Sequence, residues 1–198
     1  GLAACTLDVL RQLTGAERRR PSGAGPLTPS SLQEALTQAS PAFKVNEQQD
    51  AHEFFLKLVG LVHDELLAAD VPAPPTGAFL HAEVTKRLTC TACSQHRDVY
   101  EFFRDFSLDF AGLGDCEVGA MLRDYFRGEH VQATCQSCGS ESAYMTKYVS
   151  CAPRVLALHL KRFVPDIALQ RFEKRHQRAA VPLKLDLAAC GVKLRGGA

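Results

Sequence analysis

The chain has 198 residues, of which 46% are hydrophobic and 23% charged, and its formal net charge is +1. This length can bury one good core, or a core and a small metal-held subdomain. The near-zero net charge gives no general argument for binding nucleic acid. Charged residues interrupt every long apolar stretch of the sequence, so we expect no membrane span.

Two helices are predicted at the start of the chain. Leucines at three-residue spacing predict a helix over residues 1–14. The following run rich in Pro, Gly and Ser, from residue 21 to 29, is typical of a loop. Ser31, with Glu34 at the capping-box position, predicts a second helix that ends before Pro41.

A third helix has the clearest pattern. We expect Asn46 to cap it, Gln49 to occupy the box position, and the helix to end near Ala69. Phe54, Leu58, Leu61 and Glu65 follow on one stripe, which we expect to face the core. The Pro-rich segment 72–77 then predicts a boundary between a helical part, residues 1–77, and a second part, residues 78–198.

The second part is predicted to consist mainly of strands. Apolar-polar alternation and aromatic or β-branched residues mark the strands, at Phe79–Leu88, Arg97–Phe110, Tyr144–Val149, Arg154–Phe163 and, as a last possibility, Val181–Leu187. One helix intervenes at Cys116–Phe126. Helices followed by a sheet predict the α+β class.

Two C-x-x-C pairs are the strongest local motif. Cys90 with Cys93 and Cys135 with Cys138 can surround one structural zinc ion, and Gly139 suits the tight turn of the second pair. Surface thiols, a redox pair and disulfides are the alternatives. A redox motif usually occurs once, and no secretory signal is apparent at the first residues, so a reducing intracellular compartment is expected.

The start of the third helix carries more polar side chains than capping requires. Carboxylates and amides near a helix N-terminus can bind an extended peptide; the candidates are Gln48, Gln49, Asp50, His52 and Glu53. An ordinary polar helix start is the alternative. A zinc-protease motif H-E-x-x-H is excluded because position 56 is Leu.

Three stretches in order resemble the ubiquitin-specific proteases, which are cysteine deubiquitinases. They are QQDAHEFF at Gln48–Phe55, the two cysteine pairs, and PRVLALHLKRF at Pro153–Phe163. The resemblance implies a papain-like fold with a helical thumb, a β-sheet palm and zinc-ribbon fingers at about residues 88–145. It also implies hydrolysis at the C-terminal glycine of ubiquitin, with ubiquitin as the partner and Asp50 and its neighbours lining the cleft for the ubiquitin tail.

The resemblance places the catalytic nucleophile at Cys5. Residues 1–8 are similar to a degenerate form of the family's cysteine box, in which Ala3 and Ala4 replace polar residues and Thr6 replaces an aromatic one. The positive end of a helix favours a reactive thiolate. The alternative is a small apolar cysteine that packs beneath the helix.

Other catalytic groups are expected outside the chain. The oxyanion-stabilising asparagine would precede Gly1, and the histidine box with its orienting residue would follow Ala198. We interpret His159 as structural and His176 as a solvated loop residue. The match of residues 194–197, Leu-Arg-Gly-Gly, to the tail of ubiquitin is interpreted as chance.

Two further functions compete with the deubiquitinase. A catalytically silent ubiquitin-binding module is favoured by Ala3 and Ala4. A zinc-ribbon protein that binds nucleic acid would need a basic face around the cysteine pairs, and acidic residues between them argue against it. We therefore expect ubiquitin rather than nucleic acid or a membrane as the partner, in the cytoplasm or the nucleus.

Overall fold

A computed structural model describes residues 1–14, 28–44, 47–166 and 170–193. The chain divides into two compact units, Gly1–Ala78 and Phe79–Ala198. The predicted Asn46 cap and the ubiquitin-like residues 194–197 lie outside the described residues. Within the described part, no helix has the length and apolarity to cross a membrane.

The first unit is helical. Its helices are α1 (Leu2–Thr14), α2 (Ser30–Ala39), α3 (Ala51–Ala68) and α4 (Pro75–Leu80), the last of which runs across the boundary between the units. Apolar residues of the first three helices and of the segment after α2 form one buried cluster, which consists of Leu2, Leu32, Leu36, Phe43 and Val62. The hydrophobic effect, which favours removal of these side chains from water, is the main contribution that stabilises the packing of the helices.

The starts of α2 and α3 differ from the prediction. The carbonyl of Pro29 accepts the bond from the Gln33 N–H at 2.9 Å, so α2 begins at Ser30 and has no side-chain cap. The capping box at Ser31 is therefore wrong. The α3 helix begins at Ala51 rather than after residue 46, because Asp50 supplies the cap.

The second unit consists mainly of strands around one helix. In chain order it contains β1 (Ala82–Cys90), β2 (His96–Phe103), β3 (Phe106–Leu108), β4 (Cys116–Glu117), α5 (Val118–Tyr125), β5 (Glu129–Gln132), β6 (Ser142–Cys151), β7 (Leu158–Leu160), β8 (Phe163–Asp166), β9 (Arg171–Lys174) and β10 (Ala179–Ala180). Together with the helical first unit, this order confirms the predicted α+β class.

A four-stranded antiparallel sheet organises this unit. Its order is β2-β1-β6-β5. In this register Leu88 of β1 lies opposite Arg97 of β2 and Met145 of β6. The turn after β1 and the turn before β6 therefore come together at one end of the sheet. Three two-stranded pairs complete the unit, β3 with β7, β4 with β10, and β8 with β9.

The core of the second unit lies between the sheet and α5. Val84 and Val149 of the sheet are 1% and 3% exposed, and Leu122 of α5 is fully buried in the same cluster. Phe106 packs edge-on against Phe126 with ring centroids 5.1 Å apart. This burial fixes which face of β1 and β6 points inward, and with it the direction of the turns at their ends.

The first predicted strand begins too early. Phe79 and Leu80 belong to α4 rather than to a strand. Pro75 occupies the first helical position, where its missing N–H costs nothing, and the carbonyl of Pro74 accepts the bond from the Gly77 N–H. The strand starts only at Ala82.

Three other predicted strands are too long or absent. Arg97–Phe110 is interrupted after Phe103, and only Leu158–Leu160 of the range Arg154–Phe163 lies in β7. The range Val181–Leu187 forms no strand. Pro182 has no N–H to donate to a strand-pairing hydrogen bond. Leu183 is fully exposed, so pairing at this segment would gain no stabilisation from burial of its side chain.

Candidate functional site

The four clip cysteines meet at the end of the sheet. The Sγ atoms of Cys90 and Cys138 are 3.7 Å apart, and those of Cys93 and Cys135 are 3.6 Å apart. All four sulfurs lie within 4.8 Å of one another. Zn–S bonds of about 2.3 Å in a tetrahedron require sulfur separations of about 3.8 Å. The sulfur positions therefore fit a tetrahedral metal ion.

The two clips are the same turn used twice. The Cys90 N–H donates to the Gln95 carbonyl at 2.8 Å, and the Cys135 N–H donates to the Ser140 carbonyl at 2.7 Å. Each turn brings its two sulfurs to one side, and the pairing of β1 with β6 places the turns opposite each other. Local turn chemistry thus forms each half of the site, and the sheet joins the halves.

The fifth residue of each turn has a positive φ. It is Ser94 in the first clip, at 60°, and Gly139 in the second, at 74°. Because left-handed backbone is unfavourable for residues with a Cβ, we expect Gly139→Ala to lower the free energy of unfolding by about 1 kcal/mol. We expect the reciprocal Ser94→Gly variant to be neutral or slightly stabilising.

Denaturant unfolding of the metal-saturated protein measures both effects. A Cβ on Gly139 would meet no atom within 4 Å, so any loss reports backbone strain rather than a steric clash. If Gly139→Ala retained full stability, the strain argument would be wrong.

Backbone N–H groups stabilise the first thiolate of each clip. The N–H groups of Cys93 and Ala92 lower the pKa of the Cys90 thiol to about 6. Those of Ser137 and Cys138 lower the pKa of Cys135 in the same way. Donation to the charged form favours it, so both sulfurs could act as metal ligands.

The close approach of the four sulfurs affects the pKa of Cys93 most unfavourably. The Gln95 N–H lowers the pKa of Cys93, but the adjacent Cys138 thiol, burial and the Cys135 thiol raise it to about 12. Negative charges this close repel one another. A divalent cation removes that repulsion, so the donor set matches a metal that prefers thiolates.

Cys5 lies in the first part of α1. It is half-buried, its N–H donates to the Gly1 carbonyl at 3.2 Å, and it packs against the buried helical cluster. The Thr6 hydroxyl donates to the Leu2 carbonyl at 2.8 Å, within the same helix. The side chain at the position predicted for a nucleophile is therefore on a hydrogen-bonded helical turn.

Glu65 is a residue whose position the sequence interpretation missed. Its Oε2 atom accepts a hydrogen bond from the Ala3 N–H at 3.2 Å, which joins the end of α3 to the first turn of α1. The carboxylate thus satisfies one of the unpaired N–H groups at the start of the helix that carries Cys5. A charged residue on an otherwise apolar stripe was the available signal.

Asp50 fixes the start of α3. Its Oδ1 atom accepts hydrogen bonds from the N–H groups of His52 at 2.8 Å and Glu53 at 2.9 Å. Gln48, Gln49, Asp50 and Glu53 are exposed, and His52 is half-buried. One carboxylate oxygen of Asp50 is held by the helix, which gives this exposed side chain a defined direction.

A polar network in the second unit also escaped the sequence interpretation. The Ser107 hydroxyl donates to Asp105 Oδ2 at 2.9 Å and lies 2.9 Å from Nδ1 of His159. Because the single hydroxyl proton is directed to Asp105, Nδ1 of His159 donates to Ser107. The parallel pairing of β3 with β7 places Ser107 opposite His159.

The chain thus combines an α+β fold, a four-cysteine cluster and a cysteine near the start of a helix. Comparison with known proteins shows which family shares these features. The family model described as ubiquitin carboxyl-terminal hydrolase matches residues 2–194. The chain belongs to this family, which confirms the resemblance that the three motifs predicted.

Two relatives illustrate the extent of the match. Ubiquitin carboxyl-terminal hydrolase 37 of Gallus gallus is 26% identical over 186 residues, covering 79% of this chain and 19% of that protein. Ubiquitin carboxyl-terminal hydrolase 12 of Salmo salar is 26% identical over 214 residues, covering 94% of this chain and 56% of that protein. The chain thus spans about a fifth of the first relative.

Solved structures share the fold. A structure of the SAGA Ubp8/Sgf11/Sus1/Sgf73 DUB module bound to ubiquitin aldehyde matches with a TM-score of 0.70 and 20% identity, covering 91% of this chain and 41% of that chain. The same module bound to monoubiquitin matches with a TM-score of 0.68 and 19% identity. These likenesses confirm the predicted fold.

Proposed function

We propose that this chain is part of a thiol-dependent deubiquitinase that hydrolyses isopeptide or peptide bonds at the C-terminal glycine of ubiquitin. The observation that carries the proposal is the family match, which extends over residues 2–194 and so includes Cys5, the Asp50 helix and both cysteine pairs. Similar structures bound to ubiquitin aldehyde and to monoubiquitin support ubiquitin as the partner.

Cys5 is the proposed nucleophile. Its thiolate attacks the glycine carbonyl carbon, the lysine amine leaves with a proton, and the resulting thioester is hydrolysed by water. The position of Cys5 early in α1 supports this role, because the helix dipole favours negative charge there. The half-buried environment limits the directions from which a substrate carbonyl can approach.

The start of α3 is the proposed binding site for the ubiquitin tail, formed by Gln48, Gln49, Asp50, His52 and Glu53. Capping holds Asp50 in one orientation while leaving the residue exposed. A carboxylate held in this way suits an arginine side chain of an extended peptide, since charge-assisted hydrogen bonds are the stronger ones.

Two variants distinguish the contribution of the Asp50 charge to substrate binding from its contribution to helix capping. We expect Asp50→Asn to keep the cap, because Asn is an equally good N-cap residue, and to raise KM for ubiquitin substrates about tenfold. Asp50→Ala should raise KM similarly and also lower the free energy of unfolding by about 1 kcal/mol. Steady-state kinetics and denaturant unfolding of both variants provide the measurements. An unchanged KM for Asp50→Asn would exclude a charge-dependent tail contact.

The four clip cysteines are proposed to bind one structural zinc ion. Four thiolate ligands leave no position for a water molecule, so the ion braces the fold and takes no part in hydrolysis. The sulfur separations and the N–H donation to the thiolates support this assignment.

A reducing intracellular compartment, cytoplasmic or nuclear, is the proposed location. All eight cysteines lie within the described residues, and all eight are free thiols. Both a thiolate nucleophile and a thiolate metal site require cysteines that are not oxidised.

A ubiquitin derivative with a C-terminal electrophile tests the function. On the full-length protein we expect a covalent adduct, mapped by mass spectrometry of peptides to Cys5. Absence of an adduct together with retained ubiquitin binding would identify a silent ubiquitin-binding module, which the alanines at positions 3 and 4 favour.

A further inference from the structure

The four sulfurs of the cluster are not equally accessible. Cys90 is 4% exposed, Cys93 and Cys135 are half-buried, and Cys138 is exposed. The exposed position follows from the clip geometry, since Cys138 lies at the tip of the turn between β5 and β6, whereas Cys90 ends β1, one of the two inner strands of the sheet. A dissolved small molecule therefore reaches Cys138 first.

The Cys90 sulfur also accepts a hydrogen bond from the backbone. The Ala92 N–H donates to Cys90 Sγ at 3.4 Å. The buried Cys90 sulfur is thus held by the backbone within 3.7 Å of the exposed Cys138 sulfur.

We propose that Cys138 is an oxidation site through which peroxides release the metal, and that Cys90 is the thiol that completes the reaction. The inference rests on the proposed zinc site. Cys90 Sγ lies 3.7 Å from Cys138 Sγ, so it can attack the oxidised sulfur after a small movement.

The reaction with hydrogen peroxide balances in two steps. The Cys138 sulfur attacks one peroxide oxygen, the O–O bond breaks, and the products are a sulfenic acid and hydroxide. The Cys90 sulfur then displaces hydroxide from the sulfenic sulfur, and the S–S bond forms. The two sulfurs lose two electrons, and with two protons the peroxide becomes two water molecules.

The oxidised, metal-free site differs from a site whose metal has been removed by a chelator. A Cys90–Cys138 disulfide removes two of four ligands, so the site no longer retains zinc, but it also links the two clips covalently. Cys93 and Cys135 remain as a dithiol pair, 3.6 Å apart. Peroxide is therefore expected to release the metal while the two turns stay joined, whereas chelation under reducing conditions separates them.

Peroxide treatment of the zinc-loaded full-length protein tests the inference. A chromophoric chelator follows zinc release, a 1,3-diketone traps sulfenic acid, and peptide mapping locates both the trap and the disulfide. We expect the trap on Cys138 first and then a Cys90–Cys138 linkage with zinc release. Trapping first at another clip cysteine, or a first disulfide that lacks Cys138, would overturn the inference.

Two histidine variants provide a matched comparison, since Cys₃His is also a zinc donor set. We expect Cys138→His to slow peroxide-driven release about tenfold and Cys93→His to leave its rate within about twofold. Equal slowing by both variants would contradict a special role for Cys138. If Cys138→His fails to bind zinc, the trapping order in the unchanged protein decides.

Measuring the zinc content of the isolated protein distinguishes failure of the zinc site from failure of the oxidation site. Protein isolated without zinc would refute the proposed zinc site itself. Zinc that is present, but released without reaction at Cys138, would refute only the oxidation site.

Discussion

Removal of the metal is expected to unfold the region from residue 88 to 144 and to leave α3 helical. Structural zinc contributes about 10–16 kcal/mol of apparent binding free energy, as much as the whole stability of a typical domain. The clip turns have little apolar core of their own, since Cys90 and Ala143 are the buried hydrophobic residues near them. The α3 helix instead packs in the separate cluster of the first unit.

Hydrogen exchange with and without a chelator measures this effect. Backbone amides near the clips should lose protection by several orders of magnitude, and those of residues 51–68 should change little. Cys135→Ser should reproduce the chelated pattern. Cys151→Ser is the matched control, because Cys151 is an exposed cysteine at the end of β6 outside the cluster. Unchanged exchange near the clips would refute the metal assignment.

Loss of the Cys5 thiol is expected to abolish catalysis. Replacing the proposed nucleophile removes the covalent route, so Cys5→Ala should lower kcat for ubiquitin C-terminal substrates by about 10⁴-fold or more. The substitution removes one sulfur from a half-buried position on a hydrogen-bonded helix, so the fold should persist. Ubiquitin affinity, measured by calorimetry, should be unchanged.

The control for this experiment is Cys151→Ala, which alters an exposed thiol and should retain full activity. Hydrolysis that survives in Cys5→Ala would mean that another group is the nucleophile. Inactivity of the unchanged full-length protein, with ubiquitin bound normally, would favour the silent module instead.

Much of the helical part could be predicted because its signals are local. The α1 and α3 helices follow from apolar spacing within single segments. Their exact starts could not be predicted in the same way. Asp50 caps α3, and the local sequence does not distinguish it from the Asn four positions earlier, because Asp and Asn are equally good N-cap residues.

The strand part shows the limit more clearly. The β3 and β7 strands have three residues each and exist because they pair with each other across about fifty residues of chain. Apolar runs such as Val181–Leu187 look the same in sequence, but Pro182 and the exposed Leu183 leave that segment without a partner. Pairing between distant segments is not encoded within either one.

The sequence by itself determined the family, the fold class and the identity of the four metal-ligating candidates, because each motif needs only a few neighbouring residues of particular types. Only the tertiary structure determined which of these residues lie close to one another. The pairing of β1 with β6 brings the two cysteine turns into one cluster, and packing of α1 near the end of α3 brings Glu65 to the first turn of the Cys5 helix. It also leaves Cys138, among four chemically identical cysteines of the cluster, exposed to solvent, since exposure depends on the surrounding fold rather than on the residue.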